Sequence, residues 1–498
     1  MTTTSWHLKQ PITPAQLGQL LAPCTVDQVN TEHEEWSVLD DPSWHIWQQG
    51  QVLLYAHHRA ALELWLNNRI QFSDSQASVH TRFPHQLSDQ EMASFLQSAV
   101  GIRAFIEHDR IGWQQTTLAV RNCDRKTIVR LTLIENGETT LLSLHPLRGY
   151  QQEAKTISQQ LSALEGQSCD AQTLRKRLLA CGLQVTIPPG RLSFDLTGNE
   201  ATQLAVLQMV TRLVELARQQ EQGLCADIDT EYAHQYRVAL RKARSLVALF
   251  KSALPQDLAQ QLKHHLKQLA QRSNTLRDLD VFLLDRNDYY SLLPADLHRG
   301  LDNAFQRLKR RRNREQKKLA GVLSSSTYQD DIQQLLASLA EMDSPLTGKG
   351  ARPIKTTASR KIVRQYQRIC TTGDTINTVA TDQAIHELRI ECKKLRYLLE
   401  LFAELYSRKG IKHQIKRLKQ LQDILGRFND LCVQQAFLKQ LAHTSRDHAQ
   451  VISLNALVAV LYQHHKQERQ RVTAAISEFS RQEVADTVHN LVQNGELA

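Results

Sequence analysis

Over the first 150 residues, short apolar runs alternate with turn signals. Gln51-Val52-Leu53-Leu54-Tyr55 follows Gly50, and Thr116-Thr117-Leu118-Ala119-Val120 forms a second run. Ile128 to Ile134 alternates apolar and polar positions before Asn136-Gly137. Period-two alternation closed by Asn-Gly predicts a strand and a hairpin, with Thr139 to Leu144 as the returning strand. Helices are predicted at Pro14 to Leu21, Asp89 to Val100, Tyr150 to Leu164 and Ala171 to Ala180. Residues 1–195 therefore read as an α+β, mainly antiparallel domain.

From about Asn199 the strand signals stop, and helical periodicity runs to the end of the chain. Residues 201–498 read as an all-α domain. Pro345, Gly348, Gly350 and Pro353 mark residues 343–353 as a linker between two halves, about 201–342 and 354–498. The halves repeat. Residues 234 to 281 align with 386 to 433 at a constant offset of 152 and without a gap, with 14 identities in 48 positions. Helical composition alone does not hold one register over that length, so a duplicated helical unit is expected.

Each repeat opens with the same polar pattern: His234, Arg237, Arg241 and Arg244 in one, His386, Arg389, Lys393 and Arg396 in the other. Offsets of 0, 3, 7 and 10 keep all four side chains within about 80° on one helix face. The opposite face is apolar, with Tyr236, Leu240, Ala243, Val247 and Phe250 matched by Leu388, Cys392, Leu395, Leu399 and Phe402. Lys242 and Lys394 widen the cationic surface, and Lys263, Lys267, Lys412, Lys416 and Lys419 extend it on neighbouring helices. Stacked like charges cost a helix a few tenths of a kcal/mol per pair, roughly. Their recurrence in both copies points to a compensating polyanion, or to acidic partners among Asp278, Asp280 and Asp430. His234 and His386 have no second His or Cys one turn away, which argues against a metal site there. They read as hydrogen-bond donors beside the arginines.

Charge sharpens this picture. The 498 residues carry 61 Lys plus Arg against 51 Asp plus Glu, a formal charge of +10. Residues 1 to 220 are slightly acidic, so the excess of positive charge lies in the remainder. Eight scattered cysteines without a Cys-x-x-Cys pair predict reduced thiols rather than a zinc ribbon or disulfide framework. Neither a signal segment nor a membrane span is seen, which makes a cytoplasmic protein the expectation.

The paired motifs, His234-Gln-Tyr-Arg237-Val-Ala-Leu-Arg241-Lys242-Ala-Arg244 and His386-Glu-Leu-Arg389-Ile-Glu-Cys-Lys393-Lys394-Leu-Arg396, resemble the CHAD domain, the conserved histidine α-helical domain. The tails Arg277-Asp278-Leu279-Asp280-Val281 and Asn429-Asp430-Leu431 are similar to that family too. The resemblance covers about residues 201 to 490. It implies two four-helix bundles related by a pseudo-twofold axis, with a basic groove that binds inorganic polyphosphate without hydrolysing it, and association with polyphosphate or storage granules.

The first domain resembles the CYTH, or triphosphate tunnel metalloenzyme, family through Leu39-Asp40-Asp41-Pro42-Ser43-Trp44, Gly50 to Leu53, and Pro146-Leu147-Arg148-Gly149-Tyr150. The family's Glu-x-Glu-x-Lys opening falls on Ser5-Trp6-His7-Leu8-Lys9, and its two arginines fall on Leu54 and Ala56. A tunnel lacking those carboxylates and guanidinium groups is poorly equipped to hold Mg²⁺ and triphosphate. The expectation is a degenerate, tunnel-like domain, no catalytic residues, no cofactor and no metal. Inorganic triphosphatase activity from this domain is the alternative. Nucleic-acid binding by the basic helices is another, but aromatics make up only 6% of the chain and none interleaves with the stripe to stack on bases.

Overall fold

The computed structural model describes residues 4–479, apart from 9, 67, 138–139, 163, 165, 170–172, 189–191, 341–345, 347 and 378–379. It divides into two compact units, Met1–Gly190 and Arg191–Ala498.

Among the described residues, the first unit is built on one antiparallel sheet of nine strands: β1 Thr4–Leu8, β2 Thr25–Asp40, β3 Gln51–Ala56, β4 Ala61–Leu66, β5 Arg69–Asp74, β6 Ile106–Arg121, β7 Thr127–Glu135, β8 Thr140–Pro146 and β9 Gly166–Cys169. The strand order is β5-β4-β3-β2-β6-β7-β8-β1-β9. The α-helices that accompany it are α1 Pro14–Leu20, α2 His45–Gln48, α3 Gln90–Val100, α4 Gln151–Leu161 and α5 Leu174–Ala180. Alternation along the strands sends side chains to two faces. Leu118, Leu131, Leu133, Leu142 and Leu144 pack on one face with Leu17 of α1 and Ile157 of α4. On the other face Trp36, Val38, Leu54, Ala56, Ile111 and Trp113 pack with Leu174 and Leu178 of α5. The 16-residue β2 carried no clear strand signal, because its first ten residues are mostly exposed and polar on both faces.

The second unit is helical. Its elements are α6 Thr202–Gln219, α7 Glu221–Cys225, α8 Thr230–Phe250, α9 Gln256–Arg272, α10 Asn274–Leu284, α11 Arg286–Ser291, α12 His298–Leu323, α13 Ser326–Ala340, α14 Ile354–Asp374, α15 Asp382–Leu401, α16 Arg408–His443 and α17 His448–Phe479. No helix among the described residues is long and apolar enough to cross a membrane. Residues 192–200 pack here, with Phe194 and Leu196 in the helical core and Glu404 accepting from the Phe194 and Leu196 amides.

The 152-residue offset reappears in three dimensions. α9 begins at Gln256 and α16 at Arg408, while the path that breaks at Ser273 between α9 and α10 runs unbroken through α16. The end of the expected linker is itself structured: Ala201 and Pro353 form an antiparallel bridge, with Thr202 N donating to Arg352 O and Ile354 N to Glu200 O, both at 2.9 Å. Residues 343–345 and 347 of that linker lie outside the described residues. The interior does not divide along the repeat boundary. One core joins α6, α8 and α9 to α14, α15 and the first half of α16. A second joins α10, α11 and α12 to the later part of α16 and to α17.

Candidate functional site: a shared cationic surface

Both stripe-bearing helices start on firm caps. Asp229 accepts from the amides of Glu231 and Tyr232 at the start of α8, and Thr381 accepts from Ala384 N at the start of α15. The apolar faces are buried as the spacing predicts, with Tyr236, Leu240, Ala243, Val247 and Phe250 matched by Leu388, Cys392, Leu395, Leu399 and Phe402. The two helices meet. Phe250 and Phe402 pack with their rings tilted by 45° and 5.4 Å between centroids, and Lys242 Nζ reaches Glu400 at 2.9 Å.

This packing brings the two stripes into one electrostatic field. Burial is the main cause that lowers the Lys393 pKa to about 7, followed by Arg389 of the same helix and Arg241 of the other repeat. Arg237 is lowered to about 10, first by burial and then by Arg241. Burial also lowers the pKa of Arg389, and Arg241 and Arg396 add to the effect against Asp430. Arg241 thus repels cations of both repeats. The His234 pKa is lowered by burial and by Arg277, Arg241 and Arg237, so its imidazole is held neutral.

Neutralisation is uneven along the surface. Arg237 donates to Ala270 O, Ser273 Oγ and Asn274 Oδ1 at 3.3, 3.3 and 2.5 Å, all neutral acceptors. Asp278 lies within its field but is itself pushed up by burial. Arg389 faces Asp430 at 3.5 Å, and His386 Nδ1 lies 2.5 Å from Asn429 Oδ1. Lys394 turns to Glu391 at 2.5 Å, and Arg396 shares Glu400 with Lys242, at 3.4 Å. Among the described residues no ion pair holds Arg241, Arg244 or Lys393. Asp280 takes no part in the stripe, being paired with Arg312 of α12 at 2.8 Å.

The outlying lysines are exposed. On α9, Lys263 and Lys267 project within about 60° of Ala270, the residue that Arg237 touches. On α16, Lys412, Lys416 and Lys419 lie about 60° to 120° from Gln422, which donates to Cys392 O of α15 at 2.6 Å. Lys263 and Lys267 thus lie on the side of α9 that meets Arg237. Arg277, named in the sequence only as the start of the tail motif and not as a cation of the stripe, joins the surface. It is the strongest charge acting on His234, and its Nη1 is buried without a hydrogen bond. The cue was weak because Asn429 stands at the matching position of the other repeat.

In the first unit, Ser5 is buried and its hydroxyl meets Ser143 Oγ at 2.9 Å. Leu54 and Ala56 are fully buried beside Trp36 and Trp113, whose rings meet edge to face at 4.6 Å. Asp40 caps α2 by accepting from the Ile46 and Trp47 amides, and burial raises its pKa to about 7. These positions are committed to packing and capping.

Residues 208–439 match the CHAD domain family, so the helical unit carries a CHAD domain. Among solved structures, the CHAD domain from the plant Ricinus communis is 23% identical with a TM-score of 0.50, covering 58% of this chain and 96% of that one. PptA from Streptomyces chartreusis is 17% identical with a TM-score of 0.43, covering 55% and 96%. No curated protein matches the chain.

Proposed function

We propose that the helical unit, as a CHAD domain, binds inorganic polyphosphate without breaking it, across the surface shared by α8 and α15. The observation that carries this reading is the charge accumulated where the repeats meet. Arg241 raises the cost of keeping Lys393 and Arg389 protonated in a half-buried setting, and no carboxylate pairs with Arg241, Arg244 or Lys393 among the described residues. A linear polyanion supplies the missing counter-charge through charge-assisted hydrogen bonds. His234, Arg237, Arg277, Arg389 and Arg396 continue the surface on both sides, while Lys263, Lys267, Lys412, Lys416 and Lys419 form its exposed margins.

Polyphosphate suits the surface better than nucleic acid does. Of the aromatic residues on and at the ends of these helices, Tyr236, Phe250, Tyr397 and Phe402 are buried and Tyr232 is half-buried against the helical core, so none stands out as a platform for a base. The first unit contributes no catalysis in this reading, because the positions that would carry metal and triphosphate are occupied by Ser5, His7, Leu54 and Ala56.

The test is a titration of the full chain with long-chain polyphosphate, triphosphate, single-stranded RNA and duplex DNA at several salt concentrations. Polyphosphate binds tightest, with affinity falling steeply as salt rises. Arg241→Glu with Lys393→Glu removes two charge-assisted contacts and reverses their sign, weakening binding by about 100-fold or more while helix content survives. Undiminished binding by the folded double variant would overturn the assignment.

A further inference from the structure

Repeat 2 contains three side chains of different chemistry that converge on one point, and the polyphosphate reading makes no use of them. Asp382 opens α15, Cys432 lies in α16 and His465 in α17. Cys432 Sγ is 3.0 Å from His465 Nε2 and 3.7 Å from Asp382 Oδ2, and His465 Nε2 is 3.8 Å from the same Oδ2. A triangle with these edges has its centre about 2 Å from each corner. Zn²⁺ bonds imidazole nitrogen and carboxylate oxygen at roughly 2.0 to 2.2 Å and thiolate sulfur at roughly 2.3 Å. An ion slightly above that centre would reach all three donors, and opening the sulfur–nitrogen edge by about half an ångström would give tetrahedral angles.

We propose that Asp382, Cys432 and His465 form a binding site for a tetrahedral transition-metal ion of the Zn²⁺ class, with the fourth position open to solvent beside the exposed Asp382. The surroundings orient the donors. His465 is buried and packs on Phe428 at 4.3 Å between ring centroids, which fixes its plane. Arg469 engages the other carboxylate oxygen of Asp382, Oδ1, and so leaves Oδ2 directed at the cysteine and histidine. Outer contacts of this kind hold metal ligands in position. Burial lowers the His465 pKa and keeps the imidazole neutral, as a ligand must be. The Cys432 thiol is protonated without metal, its pKa pushed up to about 12 by burial and by Asp382. Metal entry forms the metal–sulfur bond, breaks S–H and releases that proton to solvent.

A nucleophilic Cys-His-Asp triad fits these atoms less well. Such a triad needs the carboxylate on the imidazole nitrogen remote from the thiol. Here thiol and carboxylate face the same nitrogen, Nε2, and the thiol is far from ionised. Repeat 1 fills the same place differently. The residue matching Cys432 is Asp280, bound by Arg312 of α12. An internal cation occupies repeat 1 where repeat 2 presents three metal donors. Since the ligands come from three helices, an ion there would clamp α15, α16 and α17 together.

The decisive experiment loads the full chain, stripped with a chelator, with Zn²⁺ alone and separately with Co²⁺. Expected are one tightly held ion per chain, a thiolate-to-Co²⁺ charge-transfer band, and a Zn²⁺-dependent rise in the unfolding midpoint. Cys432→Ser should abolish the band and weaken Zn²⁺ by roughly tenfold or more. Failure of the parent to take up metal, or an unchanged band in Cys432→Ser, would overturn the proposal. Should that variant not fold, thiol labelling of the parent with mass mapping replaces it: Zn²⁺ protects Cys432 selectively if the site exists, and equal labelling with and without Zn²⁺ refutes it.

Discussion

Phe250 and Phe402 occupy corresponding positions of the two repeats, and their rings pack against each other at 5.4 Å with both side chains fully buried. The same offset relates Ala201 to Pro353, which form the antiparallel bridge. Corresponding residues of the two repeats thus meet at the α8/α15 contact, where Arg241 and Lys393, another corresponding pair, share one field.

Truncating one member of the aromatic pair tests this link. Phe250→Ala removes a fully buried ring and leaves a cavity, at a cost of about 3 to 5 kcal/mol. Denaturant unfolding should report that loss. Polyphosphate affinity should fall too, although no cation has been removed, because the spacing of the stripes depends on the pair. Phe250→Leu should lose less of both.

Lys393 gives a prediction with a defined sign. Its pKa is about 7 in the folded protein against 10.5 ordinarily, so between those values the unfolded chain binds more protons than the folded one. Stability must then rise with pH across that window. Lys393→Met should flatten this slope and raise stability near pH 7 by roughly 1 to 3 kcal/mol, since a half-buried, repelled charge is removed. The same change should weaken polyphosphate binding. In the parent, binding at pH 8 should take up protons, which calorimetry in buffers of different ionisation enthalpy measures.

Arg312 is a cation that sequence alone could not distinguish from its exposed neighbours Lys309, Arg310 and Arg311. It is nearly buried, and it pairs with the fully buried Asp280 and with Asp227. Arg312→Met strands a buried carboxylate and should cost about 3 to 5 kcal/mol in chemical denaturation, whereas Arg311→Met should change stability little. Polyphosphate affinity of the folded Arg312→Met protein should stay close to that of the parent.

The first unit should release no phosphate from triphosphate above background with Mg²⁺ or Mn²⁺, measured with the full chain. Leu54→Arg with Ala56→Arg should not create activity. Both positions lie in the tryptophan-lined core, so two buried guanidinium groups should unfold the unit instead.

The duplication, the helical class of residues 201–498 and the stripe at His234, Arg237, Arg241, Arg244 and its counterpart were legible in the sequence. Helical spacing is a local property, and repeated register survives in one dimension. The antiparallel character of the first unit was legible for the same reason at Ile128 to Ile134, but not in β2, whose exposed first half carries no alternation. Which cations keep free charge was decided by tertiary structure. Lys242 and Lys394 belong to the same basic surface in sequence, yet each meets a glutamate, while Arg241 and Lys393 meet one another's repulsion. Asp382, Cys432 and His465 lie 50 and 33 residues apart, and no spacing rule connects them. Only the packing of α15, α16 and α17 brings their donor atoms together, because the packing of three helices depends on the whole core rather than on any one segment.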